Sequence, residues 1–231
     1  MWDVHDLARV ARAGLEGADR QWTLEQSVYG LDSMSELAFH PLLTAAFATA
    51  GLGVRREQPY PGAPESRARF NDRQRCDMVL LARPSDALLD PVLERIETDK
   101  AAGTLFASAA EVRTSTGRVD PKEAFWLEVK VVGQFTYTQG IPGPNRAYAS
   151  ELTRSLTVDL AKMGRDGALE WAGLLLVLFT ADEETAEHDL TVAMHRSLDR
   201  GVLLRAPAVE RFAVPDRIGN RVCTVAVIRA G

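Results

Sequence analysis

The spacing of apolar and polar residues divides the chain into stretches of helical and of strand period. Val4, Leu7, Ala8, Val10, Ala11 and Leu15 recur at helical spacing, which predicts an amphipathic helix over 3–20 lying outside the core. A second helix is predicted from Ser33. Ser33 and Glu36 fit the Ser-x-x-Glu capping box, and Leu37, Ala38, Leu42, Ala45 and Ala46 follow as an apolar face. Pro41 predicts a bend or a fresh start at His40, and Gly51 and Gly53 close the element. Strands are predicted at 54–60, 74–82 and 125–132, the last reading Phe-Trp-Leu-Glu-Val-Lys-Val-Val. In the second, alternation sets Asp77 opposite Cys76, Met78 and Leu80. From 84 to 121 the pattern lapses: Leu88, Leu89, Val92, Leu93 and Ile96 suggest a helix, and 111–117 is short and polar. A turn-rich loop over 140–145 leads to a helix over 148–163 with Leu152, Leu156 and Leu160 on one stripe. The apolar run Trp171–Thr180 suits a central parallel strand. A helix over 182–198 has Asp182, Glu183 and Glu184 at its start, where the helix dipole favours them, and a strand over 221–229 ends the chain.

This order predicts an α/β fold at the border of α+β, with a central mixed sheet flanked by helices. The early strands are close enough to pair as a meander, and helical crossovers join the later ones. One domain over 1–231 is expected, with 1–30 as an N-terminal helical extension and 84–121 as an insertion between the second and third core strands. A composition of 46% hydrophobic and 26% charged residues excludes disorder, collagen-like repeats and coiled coils. The longest apolar run, 172–179, is too short to span a bilayer, and Asp3, Asp6, Arg9 and Arg12 rule out a signal peptide, so a cytoplasmic location is the default. Cys76 and Cys223 have no metal-ligand spacing and read as reduced core residues. A net charge of −5 confines any nucleic-acid contact to a local patch. Arg55, Arg56, Arg67, Arg69, Arg73 and Arg75, against Glu57, Glu65 and Asp72, form one such stretch, which equally suits a solvated loop.

Glu128 and Lys130 are the chemical anomaly. Two residues apart, they project from one face of an otherwise apolar strand, and buried charge is costly unless it is paired or binds a metal. Together with Glu36 on a helix and Asp77 on the preceding strand, they resemble the PD-(D/E)XK nuclease superfamily, whose restriction-endonuclease-like core runs helix with Glu, strand, strand with Asp, strand with (D/E)-x-K, helix, strand. The matching positions are Glu36, Asp77, Glu128-Val129-Lys130 and the helix over 148–163, so the resemblance covers about 33–180. Cys76 stands where the family often has proline, and the 84–121 insertion lengthens the separation of Asp77 from Glu128.

The resemblance implies metal-dependent phosphodiester hydrolysis, most often of DNA. Hydrolysing a phosphodiester calls for a hard cation that neutralises developing charge and acidifies water. Mg²⁺, or Mn²⁺ in its place, takes oxygen ligands and keeps several waters. Asp77, Glu128 and the backbone carbonyl of Val129 would supply such ligands, with Lys130 orienting the attacking water and stabilising the transition state. Glu36 would be an outer-shell ligand or hold a second metal. Each has a structural alternative: a capping-box role alone for Glu36, a bond to backbone for Asp77, and for Glu128–Lys130 a same-face ion pair of about 0.2–1 kcal/mol.

Gln134, Arg56, Arg73 and Arg75 are weaker substrate-binding candidates. Asp159 and Lys162 read as a solvated face, and His40, one turn after Glu36, as a core or surface histidine. No Gly-x-Ser-x-Gly, His-Glu-x-x-His, P-loop or dinucleotide fingerprint is present. The alternatives to a DNA nuclease are a catalytically silent module of the same fold that binds nucleic acid or protein partners in a defence or mobile-element system, and a metal-dependent hydrolase of small phosphate esters. A symmetric homodimer would explain cutting of both strands of a duplex, although no interface pattern is visible.

Overall fold

In the computed structural model, which describes residues 1–62, 74–95 and 118–231, the apolar runs form a mixed sheet of six strands between two helical layers. The strands are β1 (Gly53–Pro59), β2 (Arg75–Leu81), β5 (Phe125–Gly133), β8 (Trp171–Thr180), β10 (Val222–Arg229) and β9 (Ala208–Ala213), in that spatial order. Short pairs lie outside it: β3 (Ala87–Leu88) with β4 (Arg118–Val119), and the hairpin β6 (Phe135–Thr138) with β7 (Ile141–Pro144). The early strands form the expected meander, since β1, β2 and β5 pair antiparallel in turn. β5 and β8 are parallel, and β8, β10 and β9 are antiparallel again.

Helix α1 (Val4–Leu24) and helix α2 (Glu36–Thr49) cover one face. Phe125, Leu127, Val129, Leu175, Val177 and Phe179 project from β5 and β8 into this layer, and Leu7, Ala8, Ala11 and Leu15 of α1 meet them, so α1 packs on the outside of the sheet and its apolar face closes this half of the core. The helices approach closely at Gly14, where a Cβ would fall 2.3 Å from that of Ala46. The other face is covered by α3, a continuous helix of segments Tyr148–Ser150, Glu151–Ser155 and Leu156–Gly164 with the middle one in π geometry, and by α4 (Glu183–Asp199). Trp126, Val132, Leu174, Leu176 and Leu178 meet Leu152, Leu156 and Leu160 there. Each fully buried aliphatic side chain contributes about 1.5–3 kcal/mol.

Several local expectations change. Helix α2 starts at Glu36 after N-cap Ser35, and the Ser33 hydroxyl donates to the Gly30 carbonyl within a 3-10 turn, so no capping box forms. The helix runs through Pro41 and buries Phe39, His40, Leu43 and Phe47, while Leu37 is exposed. Its end is as expected: Gly51 takes φ +85, and the Leu52 N–H reaches back to the Phe47 carbonyl in a Schellman arrangement. In the insertion, Leu88 is in a strand and the helical residues among those described are 91–95; Ile96 and 111–117 lie outside the described residues. The loop over 140–145 contains β7, and β9 had no clear sequence signal. No helix among the described residues is long and apolar enough to cross a membrane.

Candidate active site

The site lies where β2 and β5 separate. Their register pairs Leu80 with Phe125, Val79 with Trp126 and Met78 with Leu127, and goes no further. At the next position the Asp77 carboxylate takes over, its Oδ2 accepting the Val129 N–H at 2.8 Å. A side chain thereby replaces a strand as partner of a backbone donor, and a gap lined by carboxylates opens in the sheet.

Alternation along β2 is broken here. Met78 and Leu80 face α1 and α2, whereas Cys76 lies in the opposite layer with Val79 and Leu81, which corrects the expectation that Cys76 shares the Met78 face. The cause is on β1. Its ladder pairs Arg56 with Met78 and Gln58 with Cys76 but omits Glu57 with Asp77, and Glu57 has φ +52. Asp77 and Glu57 therefore oppose each other across an interruption in the ladder.

Glu128 sits on the α3 side of β5 and is only 6% exposed. Its Oε1 accepts the Tyr60 hydroxyl at 2.5 Å and meets Lys162 Nζ at 2.5 Å. Tyr60 stacks on Trp126 with centroids 5.7 Å apart, and Lys162 Nζ lies 4.7 Å above the Tyr60 ring. The Tyr60 hydroxyl is pushed up by burial and by neighbouring Cys76 and Glu128, and so remains a hydrogen-bond donor. Burial pushes Asp77 up to about 7; the Val129 N–H opposes this, and the charge of Glu128 and a hydrogen bond with it add to the rise. Asp77 is thus held toward its protonated form when no cation is present.

Lys130 Nζ lies 3.1 Å from Glu36 Oε2 and 3.7 Å from Asp159 Oδ2. Burial alone would lower the ammonium, but Glu36 first and Asp159 next outweigh it, so Lys130 is held above its ordinary value and stays charged. Asp159 is raised, because burial outweighs the attraction of Lys130. Glu36 also accepts the Val131 N–H at 3.3 Å. Glu36 is thus a partner of Lys130 and of the strand, and it is Glu128 and Asp77 that approach each other.

His40, one turn after Glu36, is 1% exposed, and one ligand atom from each of His40, Glu57 and Asp77 lies within 4.8 Å of the others. Its Nε2 has no hydrogen-bond partner, and its Nδ1 is 3.4 Å from Arg56 Nη2. An unmet buried group of this kind costs about 1–3 kcal/mol. The imidazole is lowered by burial and by Arg56.

The weaker candidates fall elsewhere or in other roles. Gln134 Oε1 accepts the Ala181 N–H at 2.9 Å, which binds the end of β5 to the end of β8. Arg56 reaches His40, and Arg75 donates to the Glu57 carbonyl at 3.3 Å. Arg73 lies outside the described residues. Sequence reasoning passed over Tyr60 and Glu57 and treated Asp159 and Lys162 as a solvated face. The three-residue spacing of Asp159 and Lys162, flanking the buried Leu160, was the available signal. No protein-family model, curated protein or solved structure matches this chain.

Proposed function

We propose that the chain is a Mg²⁺- or Mn²⁺-dependent nuclease with a restriction-endonuclease-like core, acting on DNA. The observation that carries this reading is the meeting of Asp77 and Glu128 at the gap between β2 and β5, with Lys130 on the same strand. The donor set fits a hard divalent ion, since both carboxylates offer oxygen ligands and the charge of Glu128 beside Asp77 favours a cation between them. Asp77 and Glu128 would hold the ion, with the Val129 carbonyl as a third oxygen. A cation there supplies neutralisation of phosphoryl charge and a more acidic water.

The remaining work belongs to the protein. Lys130, charged at neutral pH, directs its Nζ toward the attacking water and the developing negative charge. Glu36 and Asp159 hold that Nζ from two sides. Tyr60 and Lys162 fix Glu128 through Oε1, which sets the orientation of the carboxylate.

One observation favours a second reading, the silent module of the same fold. Lys162 already neutralises Glu128 at 2.5 Å, where a cation would compete with it. Metal-titrated cleavage of single- and double-stranded oligonucleotides separates the two. Cleavage lost in Lys130→Ala and Asp77→Ala supports the nuclease. Nucleic-acid or protein binding unaffected by Asp77→Ala, with no cleavage under Mg²⁺ or Mn²⁺, supports the module.

A further inference from the structure

We propose that His40, Glu57 and Asp77 form a separate cation subsite that selects a first-row transition ion such as Zn²⁺ over Mg²⁺. It deepens the reading above through the shared Asp77, but its observations are its own. One ligand atom from each of the three side chains lies within 4.8 Å of the others, a span that a single ion can draw together. His40 is 1% exposed and its Nε2 is buried without a partner, although polar atoms so deeply buried are almost always satisfied. Burial leaves no water shell for that nitrogen, and the same ring offers a ligand atom to both acids.

Glu57 and Asp77 oppose each other where the β1–β2 ladder omits a pair. The φ of +52 at Glu57 marks the same interruption, which frees the two acids from a regular pleat. Two carboxylates and a neutral imidazole balance one divalent charge. The nitrogen decides the selectivity: Mg²⁺ favours an all-oxygen octahedron, whereas imidazole suits Zn²⁺, Fe²⁺ and their neighbours. Arg56, 3.4 Å from Nδ1, lies beside the imidazole from the same strand as Glu57.

Calorimetric titration of chelator-treated protein with Zn²⁺ and with Mg²⁺ tests this, with Co²⁺ absorption as a probe of nitrogen ligation. Wild type is expected to bind one Zn²⁺ at least tenfold more tightly than Mg²⁺. His40→Gln and Glu57→Gln should each weaken Zn²⁺ at least tenfold and diminish the Co²⁺ visible bands. Glu57→Gln, on a half-buried strand residue, keeps the test valid if His40→Gln fails to fold. Glu128→Gln separates this subsite from the nuclease site: Zn²⁺ binding retained there supports the subsite, whatever the outcome of cleavage assays. Zn²⁺ binding no tighter than Mg²⁺, or of equal affinity in wild type and Glu57→Gln, overturns the proposal.

Discussion

Asp77 Oδ2 accepts the Val129 N–H at 2.8 Å at the point where β2 and β5 cease to pair through their backbones. The carboxylate therefore has a structural duty beside the chemical one proposed for it, and two substitutions separate them. Asp77→Asn keeps an acceptor for Val129 while removing a buried charge. Cleavage should fall at least ~100-fold with a melting temperature no lower than wild type. Asp77→Ala leaves the N–H unpaired, and denaturant melts should show a loss of about 1–3 kcal/mol.

The same residue sets a pH dependence. Its carboxyl is raised from 3.8 to about 7 in the folded protein, so between those values the folded state holds more protons than the unfolded state. Metal-free stability should therefore be greatest below this window and decline as pH rises through it. Urea midpoints between pH 4 and pH 8 check this: the decline should be smaller in Asp77→Asn, and Mg²⁺ or Mn²⁺ should offset it near pH 8.

Lys162 occupies the Glu128 oxygen that the proposed cation would need. Lys162→Ala should tighten Mn²⁺ binding several-fold in a calorimetric titration while destabilising the metal-free protein. The loss should lie between the ~1 kcal/mol of a surface pair and the ~3–5 kcal/mol of a buried one, because the Lys162 side chain is 26% exposed and that of Glu128 is buried. Equal Mn²⁺ affinity in the two proteins would show that the ammonium is no competitor.

Lys130 and Glu36 should differ in kind. Lys130→Ala removes the charge proposed to face the reacting phosphoryl group and should cost at least ~100-fold in cleavage rate. Glu36→Gln weakens only the hold on Lys130, which keeps its contact with Asp159, so a smaller loss is expected. Single-turnover rates under saturating metal resolve the two.

The elements themselves were legible because burial imposes a period on the chain. The run Trp171–Thr180, the Leu152, Leu156 and Leu160 stripe and the helix after Asp182 all fall where their spacing places them. So do Glu36, Asp77, Glu128 and Lys130, on a helix and two strands. Spacing failed where structure departs from regularity. The positive φ of Glu57 and the shifted Cys76 follow no period, and the Ser33–Glu36 box gave way to a 3-10 turn.

By itself, then, the sequence determined most of the helical and strand segments, the meander of the early strands and the identity of the central charged residues. Only the tertiary structure decided their partners: that Glu36 binds Lys130, that Lys162 and Tyr60 bind Glu128, and that His40 joins Glu57 and Asp77. The reason is physical. Periodicity reports which face of one segment avoids water, whereas a charged contact between segments depends on where two strands part and on which helix covers the gap.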